Sequence, residues 1–305
     1  MTNSNSPRFE GDNWDLASGV GVTATAVAAQ RALASKGPNP LIDDAYAEPL
    51  VTSVGIDVFI QLMNGDVQLV DDPAYTAQRL NEGTAVTTRY FDGFFLQAAH
   101  AGVRQAVILA SGLDTRAYRL PWPTGVVLYE IDQPRVVEFK TRTLAELGVA
   151  PTVEHSAVGV DLRDDWPDAL HDHGFDSTQP TAWIAEGLLD YLPPQTQDRL
   201  FDAITTLSAP GSRIATGYVP DTSDRVQNGG RKLDEGWRQL GLNINWPDLI
   251  YTGDRNDAAT YLSARGWHTT VRTTSELYAD NGFDVPEAPS MLAFGDIKYV
   301  SAIRE

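Results

Sequence analysis

The chain of 305 residues contains no cysteine. That absence excludes disulfides, thiolate nucleophiles and cysteine-bound metals, and it is compatible with a cytoplasmic setting. Long apolar runs are missing too. No stretch approaches the roughly 18 residues of a membrane span, so no membrane association is expected. The opening residues, MTNSNSPRFEGDNW, are polar and lack the apolar core of an export signal. Positive charge is scarce: 23 Lys and Arg stand against 41 Asp and Glu, a formal net charge of −18. So acidic a surface repels phosphate backbones, which argues against a nucleic acid partner. Neither the G-x-S-x-G of serine hydrolases nor the G-x-x-x-x-G-K-[ST] of phosphate-binding loops occurs. Among five histidines, His171 and His173 come nearest to a chelating pair. They lie in DDWPDALHDHGFD, which reads as an exposed helix and turn, and no metal site is expected.

What is present has an ordinary globular balance, 42% hydrophobic and 21% charged. The chain is organised around Gln105 to Asp132, QAVILASGLDTRAYRLPWPTGVVLYEID. Ala106 to Ala110 has the length and branching of a buried parallel strand. A small-residue turn, Ser111-Gly112, leads through Leu113-Asp114-Thr115-Arg116 into a segment able to start a helix. A second apolar strand, Val126 to Tyr129, ends in two acids, Glu130 and Asp132. These pieces form the first half of a nucleotide-binding α/β unit. The 20 residues from Gly112 to Asp132 suit a carboxylate reaching ribose hydroxyls.

A dinucleotide site wants G-x-G-x-x-G, so that the backbone can approach a pyrophosphate. Here one glycine is flanked by Ala110, Ser111, Leu113 and Asp114. An acid beside the expected diphosphate position is electrostatically wrong for that ligand. It suits a cationic one, such as the sulfonium and amino group of S-adenosylmethionine. An NAD-type oxidoreductase is therefore the disfavoured enzyme alternative.

The string LASGLDTRAYRL followed by YEIDQP does not stand alone. Arg89-Tyr90-Phe91-Asp92 precedes it, and Asp161-Leu162-Arg163 and Glu186-Gly187-Leu188-Leu189-Asp190-Tyr191-Leu192 follow. As a set these motifs resemble the S-adenosylmethionine-dependent methyltransferases of the mycobacterial and actinobacterial family related to leucine carboxyl methyltransferases. The resemblance runs from about residue 15 to the C-terminus. It implies a class I methyltransferase fold, S-adenosylmethionine as cofactor, and a cofactor site built from Arg89, Ala110, Gly112, Asp114, Glu130, Asp132, Asp161, Leu162 and Glu186. Within that set the resemblance gives Arg89 the methionine carboxylate, a two-pronged role suited to a guanidinium. Asp161 with Leu162 would take the adenine end, although an aspartate after a strand is equally an N-cap. The family turn usually reads G-A-G-L-D-T-R. Ala110 and Ser111 replace its first two residues, which reduces backbone freedom.

Taken in order, Val20 to Lys36 reads as a helix and Asp43 to Met63 as one or two short ones. Ala74 to Ala101 reads as a long helix, with a break allowed at Gly83. Residues 1–101 thus form a helical cap on an α/β domain of residues 102–305. Strand and helix alternate there as in a seven-stranded, mostly parallel sheet with helices on both faces. Residues 220–251 turn polar and read as an inserted lid. Glu186, Tyr191, Tyr218 and Arg255 are the candidate contacts to a small-molecule methyl acceptor. No catalytic base is assigned, because methyl transfer to a carboxylate needs none. The expected function is methylation of a small-molecule oxygen, with a carboxylate suggested by the resemblance. A non-catalytic S-adenosylmethionine-binding protein is the alternative of another class. The oligomeric state is not legible, and a monomer is compatible with all of this.

Overall fold

The computed structural model describes residues 15–36, 39–67, 76–219, 230–242, 246–251, 253–285 and 297–305. Seven strands form one sheet: β1 (Gln105–Leu109), β2 (Val127–Asp132), β3 (Glu154–Gly159), β4 (Thr181–Ala185), β5 (Arg213–Tyr218), β6 (Trp267–Thr273) and β7 (Lys298–Arg304). Their order is β3-β2-β1-β4-β5-β7-β6. All neighbouring pairs are parallel except the two made by β7. The order reverses between β1 and β4, and that reversal opens a crevice at their carboxyl ends, the usual ligand position in such sheets.

β1 and β4 are buried along their whole length, as their apolar runs AVIL and AWIA require, and the polar residues that start them, Gln105 and Thr181, are hydrogen-bonded to each other. Side chains alternate between the two faces. Ala106, Ile108, Ala182 and Ile184 pack on one face with the N-terminal helices α1 (Gly21–Ala34), α2 (Ala47–Val54), α3 (Asp57–Asn64) and α4 (Ala77–His100). Val107, Leu109, Trp183 and Ala185 pack on the other. There they meet α7 (Trp166–Asp172), α8 (Pro194–Thr206) and α11 (Ala258–Ser263). The cap helices and one sheet face therefore share a single apolar core. Each large side chain enclosed this fully contributes about 1.5–3 kcal/mol.

Several elements differ from the sequence reading. α4 runs unbroken through Gly83, which is buried inside it; packing offsets the roughly 1 kcal/mol that a helical glycine costs. β2 extends through Glu130 and Asp132, so both acids are strand residues rather than its tail. α12 (Thr274–Asp280) was not expected at all. Thr273 and Glu276 cap it reciprocally, each side chain bonding the other's backbone amide. Within the expected lid, α9 (Gly230–Gln239) and α10 (Trp246–Leu249) are described, while residues 220–229 and 243–245 lie outside the described residues. Trp237 of α9 is buried edge-on against Phe59 of α3, with ring centroids 5.3 Å apart. The remaining helices are the one-turn α5 (Arg116–Arg119) and α6 (Pro134–Glu146). Among the described residues no helix is long and apolar enough to cross a membrane.

One residue is conformationally costly. Ala110, at the end of β1, has φ 54°, and it is the one non-glycine residue with positive φ among the described residues. A left-handed alanine costs roughly 1–2 kcal/mol relative to glycine. Ala110→Gly should therefore raise stability by about 1 kcal/mol after the entropy of the more flexible unfolded chain is counted. The urea midpoint at unchanged slope measures it.

Candidate active site

The β1 turn is held from below by β2. Asp132 Oδ2 accepts a hydrogen bond from the Gly112 amide at 2.6 Å, and Oδ1 accepts from the Gln133 amide at 2.7 Å. Burial raises the Asp132 carboxyl above its ordinary value, against these two amides and the Lys140 charge. Gly112 itself has φ 48°, and a Cβ there would stand 2.9 Å from the Ala24 Cβ of α1. The turn is thus closed against the cap.

Immediately after the turn, α5 delivers Arg116 into the interior. Its side chain has no exposure and is bound by carboxylates from three places. Nε donates to Asp92 of α4 at 2.7 Å, and Nη1 donates to Asp114 of the turn at 2.6 Å and to Glu186 past β4 at 2.7 Å. Arg119, one turn on, grips Asp92 with two bonds of 2.6 and 2.8 Å. Arg31 of α1 pairs with Asp44 at 3.1 Å and donates to the Leu113 carbonyl, while Thr115 donates to Asp44. In this network Arg31, Arg116 and Arg119 face Asp44, Asp92, Asp114 and Glu186, three cations against four anions. The excess negative charge, with Glu186 at 19% side-chain exposure, suits a cationic ligand at the crevice. Arg116 Nη2 is buried with no hydrogen-bond partner among the described residues. Such a donor costs about 1–3 kcal/mol, which a bound acceptor group would recover.

The leucine carboxyl methyltransferase family matches residues 24–205. The chain belongs to that family. A relative from Mycolicibacterium paratuberculosis, named an S-adenosyl-L-methionine-dependent methyltransferase, is 56% identical over 295 residues, covering 97% of this chain and 96% of that one. A Mycobacterium marinum relative of the same name is 55% identical over 298 residues, covering 98% and 99%. A crystal structure described as a methyltransferase from Thermobifida fusca YX shares the fold at a TM-score of 0.50 and 18% identity, covering 92% and 94%. The protein is an S-adenosylmethionine-dependent methyltransferase. The oxidoreductase and non-catalytic alternatives are thereby set aside.

In this methyltransferase the expected site residues divide into those the fold brings to the crevice and those it does not. Ala110, Gly112, Asp132 and Glu186 converge where β1, β2 and β4 end. Asp161, just after β3, accepts from Gln133 Nε2 at 3.0 Å and from Arg163 Nη2 at 2.7 Å, and Leu162 beside it is half-buried. Arg89 lies exposed on α4, one turn before Asp92. Asp114 reaches a ligand only through Arg116, because its carboxylate is buried against that guanidinium. Glu130 is 1% exposed, with its oxygens on Lys140 and His155, and is enclosed beneath the turn.

On the acceptor side, Tyr218 at the end of β5 is buried and bonded to Asp257. Burial, then that partner, pushes its phenol well above the ordinary range. Tyr191 ends a 3-10 turn, Leu189–Tyr191. Arg255 follows the lid segment in the chain. Its guanidinium donates to the carbonyls of Leu189, Leu192 and Tyr251 and to Gln197, so it staples that turn to the end of the lid segment. Sequence reasoning missed Arg116, Arg119, Arg31, Asp44 and Lys140. The available signal was two arginines, Arg116 and Arg119, interleaved with Leu113, Ala117, Tyr118 and Leu120 directly after a buried strand, since buried arginines require partners.

The network has a pH signature. Burial would raise the Asp114 carboxyl, but Arg116, then Arg31 and Lys140, outweigh it and hold it at about 2 against the usual 3.8. A lowered carboxylate contributes stability that is fully present above its unfolded value and is lost as pH falls through its folded one. Asp114→Asn should thus be less stable than the parent by about 2 kcal/mol at neutral pH. That difference should close as pH falls from 3.8 to about 2, as followed by denaturant melts along a pH series.

Proposed function

We propose that this methyltransferase esterifies a carboxylate of a small molecule. Bound in the crevice, S-adenosylmethionine supplies an electrophilic methyl group; the residues of the chain bind, align and exclude water. The turn from Ala110 to Gly112 and Arg89 hold the methionine end, Asp132 accepts the ribose hydroxyls, and Asp161 with Leu162 meets the adenine. The acidic rim and the unpartnered Arg116 Nη2 fit a ligand that carries both cationic groups and a carboxylate.

The carboxylate reading is carried by Glu186. It stands at the crevice just past the end of β4 and is tied to Arg116 at 2.7 Å. Asp92 and Asp114 are likewise bound to arginine. Acids engaged this way balance charge and are poor candidates for a general base. A hydroxyl acceptor would want such a base, whereas a carboxylate is already ionised at neutral pH. The family match supports the same reading. Tyr191 and Tyr218 are the proposed acceptor-side residues. The contact of Trp237 with Phe59 supports a roof shared by α9 and the cap. A cytoplasmic setting belongs to the same proposal and is supported by the cysteine-free, acidic composition.

Two measurements test this. Methyl-labelled cofactor, incubated with a panel of small carboxylic acids, should give a product whose label is released by mild alkali, as an ester requires. Label that survives alkali would place the methyl on a hydroxyl or amine and overturn the carboxylate assignment. Asp132→Ala should weaken cofactor binding by about 1.5–3 kcal/mol in calorimetry, the scale of losing hydrogen bonds to a charged partner.

A further inference from the structure

Beneath the β1 turn lies a buried ionic group that methyl transfer leaves without a role. Lys140 of α6 has a side chain 1% exposed, with its ammonium 2.9 Å from Glu130 Oε1. The other Glu130 oxygen meets His155 Nε2 of β3 at 2.7 Å, and the Tyr118 ring lies 5.6 Å from that imidazole. A lysine is among the least often fully buried residues, and desolvation makes such a pair a weak contributor to stability compared with apolar packing. Its other contact is more informative. Lys140 Nζ also reaches Ser111 Oγ at 3.3 Å, in the turn itself. Ser111 and Gly112 are thus gripped from two sides, Ser111 by Lys140 and Gly112 by Asp132. The turn needs restraint, because Ala110 beside it is in the left-handed region.

We propose that Lys140 is a positioning residue for S-adenosylmethionine, pinning the β1 turn through Ser111 and placing one positive charge beside Asp132. The inference rests on the reading of the turn and Asp132 as the cofactor seat. Burial and the Glu130 charge both favour protonated Asp132, while the Gly112 and Gln133 amides and Lys140 oppose them. The other ionisable groups around Lys140 and this turn are Asp114, Arg31, Arg116, His155 and Tyr118. Without the ammonium, Asp132 takes up its proton at higher pH, and a protonated acid accepts ribose hydroxyls less well.

The test is calorimetric titration with S-adenosylhomocysteine, which cannot react, from neutral to mildly acidic pH. Lys140→Met combined with Glu130→Gln removes the ammonium without stranding a buried carboxylate; Ser111→Ala removes only the hydroxyl; Asp132→Ala is the control. The double variant should bind roughly tenfold more weakly at neutral pH; Lys140→Met alone, which keeps the Glu130 charge, should show a deficit that widens as pH falls, and Ser111→Ala should bind severalfold more weakly. Parental affinity in the double variant and in Ser111→Ala, with an unchanged pH profile in Lys140→Met, would overturn the proposal, leaving Lys140 as a core ion pair. Should the double variant not fold, Ser111→Ala decides alone: parental affinity there overturns it. Unchanged binding in Asp132→Ala would instead overturn the cofactor-seat reading beneath it.

Discussion

Arg116 cannot be buried unless Asp92, Asp114 and Glu186 are all in place around it. A guanidinium without exposure is tolerable only when fixed anions surround it, and removing one partner of such a group is strongly destabilising, by about 3–5 kcal/mol. The three anions come from a cap helix, the β1 turn and the residue after β4. Docking of the cap and shaping of the crevice are therefore one event. Asp44 and Arg31 extend the same constraint to α1, whose Ala24 closes on Gly112. This explains why the N-terminal helices share an apolar core with the sheet.

The sheet contributes a complementary constraint. Reversal of strand order between β1 and β4 creates the crevice, and β2 sends Asp132 to its floor. Two ionic layers border the turn, the Arg116 network and the Lys140–Glu130–His155 group. Between them they fix a turn that has only one glycine in the positions where its backbone is left-handed, Ala110 occupying the other. A preformed turn reduces the ordering cost of binding, since less conformational freedom remains to be lost.

Much of this was legible in the sequence. The apolar runs of β1 and β4, the helix of Val20 to Lys36 and the acids of β2 follow from period and composition, because buried central strands permit few other residues. The small-residue turn was legible from its composition and Asp132 from its 20-residue spacing to Gly112, whereas the bond between that carboxylate and the Gly112 amide was not. What was not legible depended on distance in the chain. Asp92 and Arg116 are 24 residues apart, and Arg116 and Glu186 are 70 apart, so no local pattern links them. Glu130 and Asp132 looked equivalent, since both lie on one side of β2. Only the position of α6, with Lys140 facing Glu130, separates the enclosed acid from the partly buried one. Arg255 looked like a cleft residue because it follows the lid segment, whereas its carbonyl partners near residue 190 can be seen only in three dimensions. The Thr273–Glu276 capping box was readable and was overlooked, an S/T-x-x-E pattern directly after a strand.

The central claim is that cap, turn and β4 tip act as one unit organised by Arg116, with the cofactor seated against it. Hydrogen exchange of the parent protein with and without S-adenosylhomocysteine tests this most directly. The account predicts that protection rises together in α4 around Asp92, in the turn from Ala110 to Arg116, and in the residues after β4 around Glu186. Protection confined to the turn and β2, with α4 and the β4 tip unchanged, would contradict it.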